Sequence, residues 1–303
     1  MLSSIYIKDI IIRIGEILVN TPLYYLCPNK YVLINANMNL YYKRIRHFNL
    51  GDDLNYFLIN ELSEKKVMNY KGILHFKQTN YMCIGSIIEW NSNKYSIVWG
   101  SGAIAGGNEK MRGVPMNIKA VRGPLSRTFL MSKGIDCPAI YGDPALLLPL
   151  VYKPSLPKIY KYGFIPHYVD LNNKNIIEFV KNRKDCCIID FQKYKDWHDT
   201  IDMINQCEMI ISSSLHGIII SDAYNIPNVW VKYSNNIYGG NFKYLDYFAS
   251  VRRKQTQPII IDNIIDEGIL VEASRIWSPI DIDLDILLNV CPFELKKKYK
   301  KIQ

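Results

Sequence analysis

The sequence has little of what marks metalloproteins, nucleoside-triphosphate enzymes and membrane-spanning proteins. Its seven cysteines (Cys27, Cys83, Cys137, Cys186, Cys187, Cys207 and Cys291) are scattered, odd in number and free of CxxC or histidine-rich spacing. That pattern argues against a thiolate metal site or a disulfide scaffold and predicts core thiols in a reducing compartment. No apolar run approaches the ~20 residues of a transmembrane helix. The most apolar early segment, residues 5–19, is broken by Lys8, Asp9, Arg13 and Glu16, and no small-residue cleavage site follows it. A secretory signal is therefore not expected, and the segment reads as an amphipathic helix that packs on the protein's own core in preference to a bilayer. A GxxxxGK phosphate loop, an HExxH helix and a serine nucleophile elbow are all missing, which turns the reading away from metal and nucleoside-triphosphate chemistry.

What is present suits a globular chain of two domains. The 303 residues are 49% hydrophobic, enough to bury two cores of ordinary domain size. Lys and Arg number 37 against 28 acidic residues, and the resulting +9 favours an anionic partner: phosphate, an acidic glycan, nucleic acid or a membrane surface.

Short apolar runs (YMCIGSII, YSIVWGSG, CCIIDF, EMIISSS and PNVWVKY) alternate with segments that carry helix-start signals. Runs that are apolar at nearly every residue predict strands buried on both faces, as in parallel sheets covered by helices. Gly51-Asp52-Asp53, Arg122-Gly123-Pro124 and Ser213-Ser214 each open a helix. The proline-rich stretch 149–157 places a boundary between an N-terminal Rossmann-like domain, 1–152, and a C-terminal one, 153–303, whose last helix is expected to pack back on the first domain. Ligands of doubly wound sheets bind beyond the carboxyl ends of the strands, where helix N-termini offer free N–H groups. Two such halves facing each other form a cleft for an anionic donor and an acceptor.

Four clusters are candidates for that cleft, each with a plain structural alternative. In Asn49-Leu50-Gly51-Asp52-Asp53-Leu54-Asn55, the carboxylates either cap a helix or do acceptor binding and acid–base work. The turns Ile84-Gly85-Ser86 and Trp99-Gly100-Ser101-Gly102 either connect strand to helix or let backbone N–H groups approach an anion. Arg122, at the mouth of a helix and followed by Arg127, is either solvated or a fork for phosphate or carboxylate. In Ile211-Ser212-Ser213-Ser214-Leu215-His216-Gly217, a histidine in the first helical turn is either structural or a proton donor that an incoming dianion recruits. His167 in Ile165-Pro166-His167-Tyr168 is a weaker site on the facing half, and Asp143 in Tyr141-Gly142-Asp143-Pro144 reads as a turn-former.

The ordered series of the Tyr41-Tyr42 run, NLGDDLN, IGSII, VWGSG, AVRGPLSR, YGDPALLLP, IPHYVD, SSSLHGIIISDAYNIP and FKYLDYFASV resembles the polysaccharide pyruvyl transferase family over most of the chain. The resemblance implies an α/β, GT-B-like fold of two facing Rossmann-like domains and transfer of pyruvate from phosphoenolpyruvate to a hexose as a cyclic ketal, without metal or cofactor. It implies catalytic roles for His216, Arg122, Asp52 and Asp53. It places Asn49, Gly51, Asn55, Gly85, Ser86, Gly100, Ser101, Gly102, Arg127, His167, Ser213, Ser214, Leu215, Gly217 and Lys243 at substrate-binding positions. The family often carries an arginine two residues before its histidine; Ser214 stands there, which leaves a second phosphate contact to Arg127, Lys232, Lys243 or Arg252. The implied acceptor is a repeat unit carried on undecaprenyl diphosphate, met in the cytoplasm with a peripheral contact to the inner membrane. The basic run 296–301 is either a solvated tail or that contact. Two rivals remain open: a GT-B-like glycosyltransferase using a nucleotide sugar, and a noncatalytic glycan-binding protein. Nucleic acid is not an expected partner, because no segment interleaves aromatics with a basic stripe.

Overall fold

The computed structural model describes residues 4–41, 44–46, 49–74, 77–107, 109–262 and 264–300; Tyr42 and Lys301 lie outside them. The strands are β1 (Tyr31–Ile34), β2 (Asn39–Tyr41), β3 (Arg44–Arg46), β4 (Lys66–Asn69), β5 (Asn80–Met82), β6 (Ser96–Trp99), β7 (Asn117–Ala120), β8 (Tyr160–Ile165), β9 (Cys186–Ile188), β10 (Cys207–Ser212), β11 (Asn228–Lys232) and β12 (Ile259–Ile260). They form two five-stranded sheets, ordered β4-β1-β5-β6-β7 and β9-β8-β10-β11-β12, and a separate β2-β3 hairpin. Every pairing within the two large sheets is parallel. This is the α/β architecture that the apolar runs predict: Val98, Trp99, Ile210 and Ile211 are fully buried, so both faces of the central strands are covered.

Each sheet lays its second strand on one side of its first and all later strands on the other. The two halves therefore repeat one winding without repeating sequence. The direction of winding reverses between β1 and β5 in the first sheet and between β8 and β10 in the second, the places where such sheets take ligands.

The halves do not keep separate cores. One apolar cluster runs from Ile34, Leu54 and Trp99 to Ile165, Ile210, Trp230 and Tyr247. A second cluster, with Phe164, Ile211 and Val229, covers the outer face of the second sheet. The expectation of two cores gives way because the helices Leu215–Ala223 and Phe242–Ser250 face both halves. After the second sheet the chain returns to the first: Trp99 Nε1 donates to Leu287 O at 2.8 Å, and Lys296 N donates to Leu62 O at 2.8 Å. The basic run is accordingly tied down, with Lys296 beside Glu61 at 3.7 Å and Lys300 beside Glu294 at 3.1 Å. The early helix extends over Ser4–Leu26; it buries Glu16 but leaves Ile11, Ile14 and Leu18 exposed. No helix among the described residues is long and apolar enough to cross a membrane.

Candidate active site

The two reversal points meet. Asn37 follows β1, Gly85 and Ser86 follow β5, His167 follows β8, and Ser214, Leu215 and His216 follow β10; together with Asn49, Asp52 and Lys243 they line one cavity of ≈170 Å³. Both halves thus contribute to a single site, at the carboxyl ends of their strands.

Local sequence sets this geometry. Asn49 caps the helix Leu50–Leu62, its side chain accepting from Gly51 N at 2.9 Å. Asp52 follows in the first turn and opens on the cavity. One turn further in, Asn55 is fully buried; its amide donates to Ile84 O and accepts from Ile84 N, both at 3.0 Å, and so pins the loop after β5 to the helix. Gly85 then turns with φ +111°, a conformation that a side chain strains. Gly51 is required for a different reason: a Cβ there would stand 2.2 Å from His216 Nδ1. Gly51→Ala is expected to displace the imidazole and lower kcat at least tenfold with near-native circular dichroism; unchanged turnover would show that the ring position is immaterial.

The electrostatics are those of a cavity short of an anion. Lys243 is only 8% exposed and makes no salt bridge among the described residues; burial, then Arg122, pushes its ammonium down to about 8. Burial, with help from Arg122 and Lys243, holds His216 down to about 3, and burial and Lys243 do the same to His167. Both rings are therefore neutral near pH 7 until negative charge arrives. Burial and neighbouring Asp53 push Asp52 up to about 7, partly offset by Lys71 and Lys243. Behind His216 stands Asp143, which burial also pushes up to about 7. Its Oδ2 lies 3.9 Å from His216 Nε2, and neither atom has a hydrogen-bond partner among the described residues. At 3.9 Å this is proximity without a hydrogen bond, and a ring shift of about 1 Å would close it.

Other expected residues stand behind the wall. Arg122 is fully buried: its Nε donates to Asp246 Oδ2 at 3.0 Å, Nη2 to Ala103 O at 2.7 Å, and Nη1 to Ser86 Oγ. Gly102 leaves room for that guanidinium, whose Cζ would lie 2.3 Å from a Cβ. Asp53 accepts from the Tyr194 hydroxyl at 2.5 Å. Ser213 accepts from His167 N at 2.9 Å and donates to Asp170 at 3.0 Å, fixing the histidine-bearing loop. Gly217 packs on Ser212 and Ile165, Gly100 on Pro144, and Ser101 is buried beside them. Arg127 donates to Cys137 O at 2.9 Å and Arg252 pairs with Asp281 at 2.6 Å; of the candidates for a second phosphate contact, only Lys243 reaches the cavity.

Four contributors escape local pattern reading. Asp143 does form the expected turn, its Oδ1 accepting from Ala145 N at 2.9 Å, but its other oxygen faces His216. Trp90 and Tyr238, from opposite halves, bring their rings to 5.5 Å at the cavity mouth and offer an apolar platform of the kind sugar faces stack on. Asn37 joins the lining through a hydrogen bond from Lys71 at 2.8 Å. Of these residues only Asp143 had a prior signal, and that signal was for a turn.

Residues 1–235 match the model of a protein family described as polysaccharide pyruvyl transferase. The chain is 28% identical over 256 residues to the succinoglycan biosynthesis protein ExoV of Rhizobium meliloti (strain 1021), covering 79% of this chain and 73% of that one. It is 27% identical over 252 residues to an uncharacterized protein, L143, of Acanthamoeba polyphaga mimivirus, covering 81% and 85% of the two chains. A solved structure of an uncharacterized protein from Klebsiella pneumoniae subsp. pneumoniae NTUH-K2044 aligns with a TM-score of 0.44 at 14% identity, over 81% of this chain and 100% of that one.

Proposed function

The chain belongs to the polysaccharide pyruvyl transferase family and is an enzyme of polysaccharide pyruvylation; from that premise we propose that the cavity transfers pyruvate from phosphoenolpyruvate to two hydroxyls of one hexose, in a GT-B-like pairing of Rossmann-like halves. The observation that carries this reading is Lys243, an ammonium that makes no salt bridge among the described residues and has only the charge of Asp52 acting in its favour, beside two imidazoles held neutral by burial and cations. A phosphate dianion supplies the missing charge. It also raises both imidazole pKa values, so that binding the donor recruits a proton to His216.

The chemistry balances on these groups. One proton goes to the methylene carbon of the donor, the two acceptor hydroxyls give up theirs as their oxygens bond to the central carbon, and the carbon–oxygen bond to phosphate breaks. Of the two protons released, one replaces that taken up and the other leaves on phosphate. Asp52, poised near 7, takes a hydroxyl proton. Lys243 and the N-terminus of the helix Leu215–Ala223 hold the anion. His216, oriented by Asp143, supplies the proton. Arg122 acts at one remove, as a positioning residue that holds Ser86 in the wall.

Asp52→Asn is expected to remove the acidic limb of the kcat profile, since the carboxylate that must be ionised titrates at about 7. Linkage gives the opposite sign for stability. The folded carboxyl lies above its unfolded value, so the folded state binds the extra proton and ionisation costs stability, most fully above pH 7. Asp52→Asn should therefore raise Tm more at pH 8 than at pH 5. An acidic limb that survives the substitution removes Asp52 from proton transfer.

The direct test is phosphate release from phosphoenolpyruvate across a panel of free and lipid-linked hexose acceptors, with mass spectrometry of products. An acceptor-dependent gain of one pyruvic acid less one water supports ketal transfer. No such gain, with turnover of a nucleotide sugar, replaces it with glycosyl transfer.

A further inference from the structure

A second cavity, of ≈490 Å³, lies next to the first. Its lining includes Arg13, Lys71, Lys94 and Arg112 and no aspartate or glutamate. The four cations come from separate places in the chain: the helix Ser4–Leu26, the turn after β4, the approach to β6 and the approach to β7. Their convergence is therefore a product of the fold, unlike a run of charge along one solvated segment. None of the four makes a salt bridge among the described residues. Glu16, on the same helix as Arg13, packs on Gly72 and lies outside the lining. Like charges around one space repel until a counter-charge enters it.

The inner wall supplies an independent observation. Lys71 Nζ donates to Asn37 Oδ1 at 2.8 Å and to Asn91 Oδ1 at 3.0 Å. With its oxygen taken by an ammonium, the Asn91 amide has only its nitrogen left to offer, as a donor. That Nδ2 has no hydrogen-bond partner among the described residues, in a side chain that lines the cavity and is 7% exposed. A buried donor is thus left in want of an acceptor, beside the cations. Burial, then Arg13 and Arg112, push Lys71 down to about 8 against the opposite pull of Asp52, as befits cations gathered without a counter-ion.

A single carboxylate leaves most of this charge unmatched. An anion of two or more charges meets both guanidinium forks and the Lys71 ammonium together. The volume, too, is that of a small-molecule pocket and exceeds the needs of a lone ion. We propose that this cavity is an anion site separate from the transfer cavity, and that it takes a small molecule bearing two or more negative charges on phosphate, sulfate or carboxylate groups. Asn37, held by Lys71, also lines the transfer cavity, so the two sites are neighbours. The charges can arrive on a free phosphate compound or on acidic sugars next to the hexose that reacts. The second source rests on the transferase reading; the site itself does not.

Calorimetric titration of the full chain with inorganic pyrophosphate tests the site. Lys243→Ala is the background, because it removes the one lysine of the transfer cavity, which would attract the same probe. This variant is expected to bind pyrophosphate. Adding Arg13→Ala and Arg112→Ala is expected to weaken that binding at least tenfold, from the loss of charge-assisted hydrogen bonds. Both arginines are exposed, so their removal should leave Tm unchanged. No binding to Lys243→Ala, or equal affinity with and without the two arginines, overturns the site. If Lys243→Ala fails to fold, Arg13→Ala/Arg112→Ala is compared with the wild-type protein: loss of one binding event is expected, and an unchanged isotherm overturns the site. Digalacturonate, a saccharide with two carboxylates, separates the sources. Tighter binding than pyrophosphate assigns the charges to acidic sugars, and weaker binding assigns them to a free phosphate compound. Absence of pyruvyl transfer in the wild-type protein bears on that reaction alone, since the titrations do not depend on turnover.

Discussion

Replacement of His216 by alanine is expected to lower kcat by about 10²–10⁴-fold, the usual consequence of deleting a positioned acid–base group. The size of the effect follows from how little else can do the same work. The second imidazole, His167, is tied by its loop to Ser213 and, unlike His216 with Asp143, makes no close approach to a carboxylate among the described residues. His216 also fills space against Gly51, so alanine leaves a gap that water enters. His216→Gln is the useful companion: it restores bulk and hydrogen bonding without a titratable proton, and activity should stay low. Asp143→Asn separates orientation from proton supply. It keeps the turn through Ala145 but cannot stabilise an imidazolium, so kcat should fall while the donor KM changes little. Single-turnover rates with circular dichroism as a fold control measure all three. His216→Ala at near-wild-type kcat removes the imidazole from the reaction.

The contrast between His216 and Asp143 shows what sequence can and cannot reveal here. A histidine placed directly after a strand of type EMIISSS is legible, because strand burial and the helix start are both local. The same holds for Asp52, at a helix mouth that Asn49 caps through its own side chain. Several of the buried strands announced themselves as apolar runs, whereas β4 and β7, KVMN and NIKA, at the two edges of the first sheet, carry polar residues and did not. Asp143 was legible as a turn and illegible as a partner, since its second oxygen is used across a tertiary contact. Trp90 and Tyr238 meet only when the two sheets face each other. The shared winding order left no trace in sequence, because hydrogen-bond topology constrains burial and turn position, not residue identity.

Arg122 is where local reading and tertiary structure diverge most. A helix mouth after a strand suits an anion-binding arginine, yet this guanidinium is spent on Asp246, 124 positions away and fully buried with it. Asp246 also accepts from Ser126 N at 2.8 Å and from Ser126 Oγ at 2.6 Å, so the pair joins a helix of the first half to a helix of the second. Gly123 permits that approach, since a Cβ there would meet Asp246 O at 1.9 Å. Removing one member strands the other as a buried charge, and Arg122→Ala or Asp246→Ala is expected to cost about 3–5 kcal/mol in urea unfolding. The combined Arg122→Met/Asp246→Leu replacement should cost less than the two single losses added together, because no charge is left unpaired. Arg122→Lys distinguishes clamp from site. The charge persists, but an ammonium cannot span Asp246, Ala103 and Ser86 at once, so the variant should stay folded while the released Ser86 raises the donor KM. If Arg122→Ala shifts Tm by less than about 1 °C and instead abolishes donor binding, the guanidinium turns out of its clamp to meet phosphate, and its role is direct.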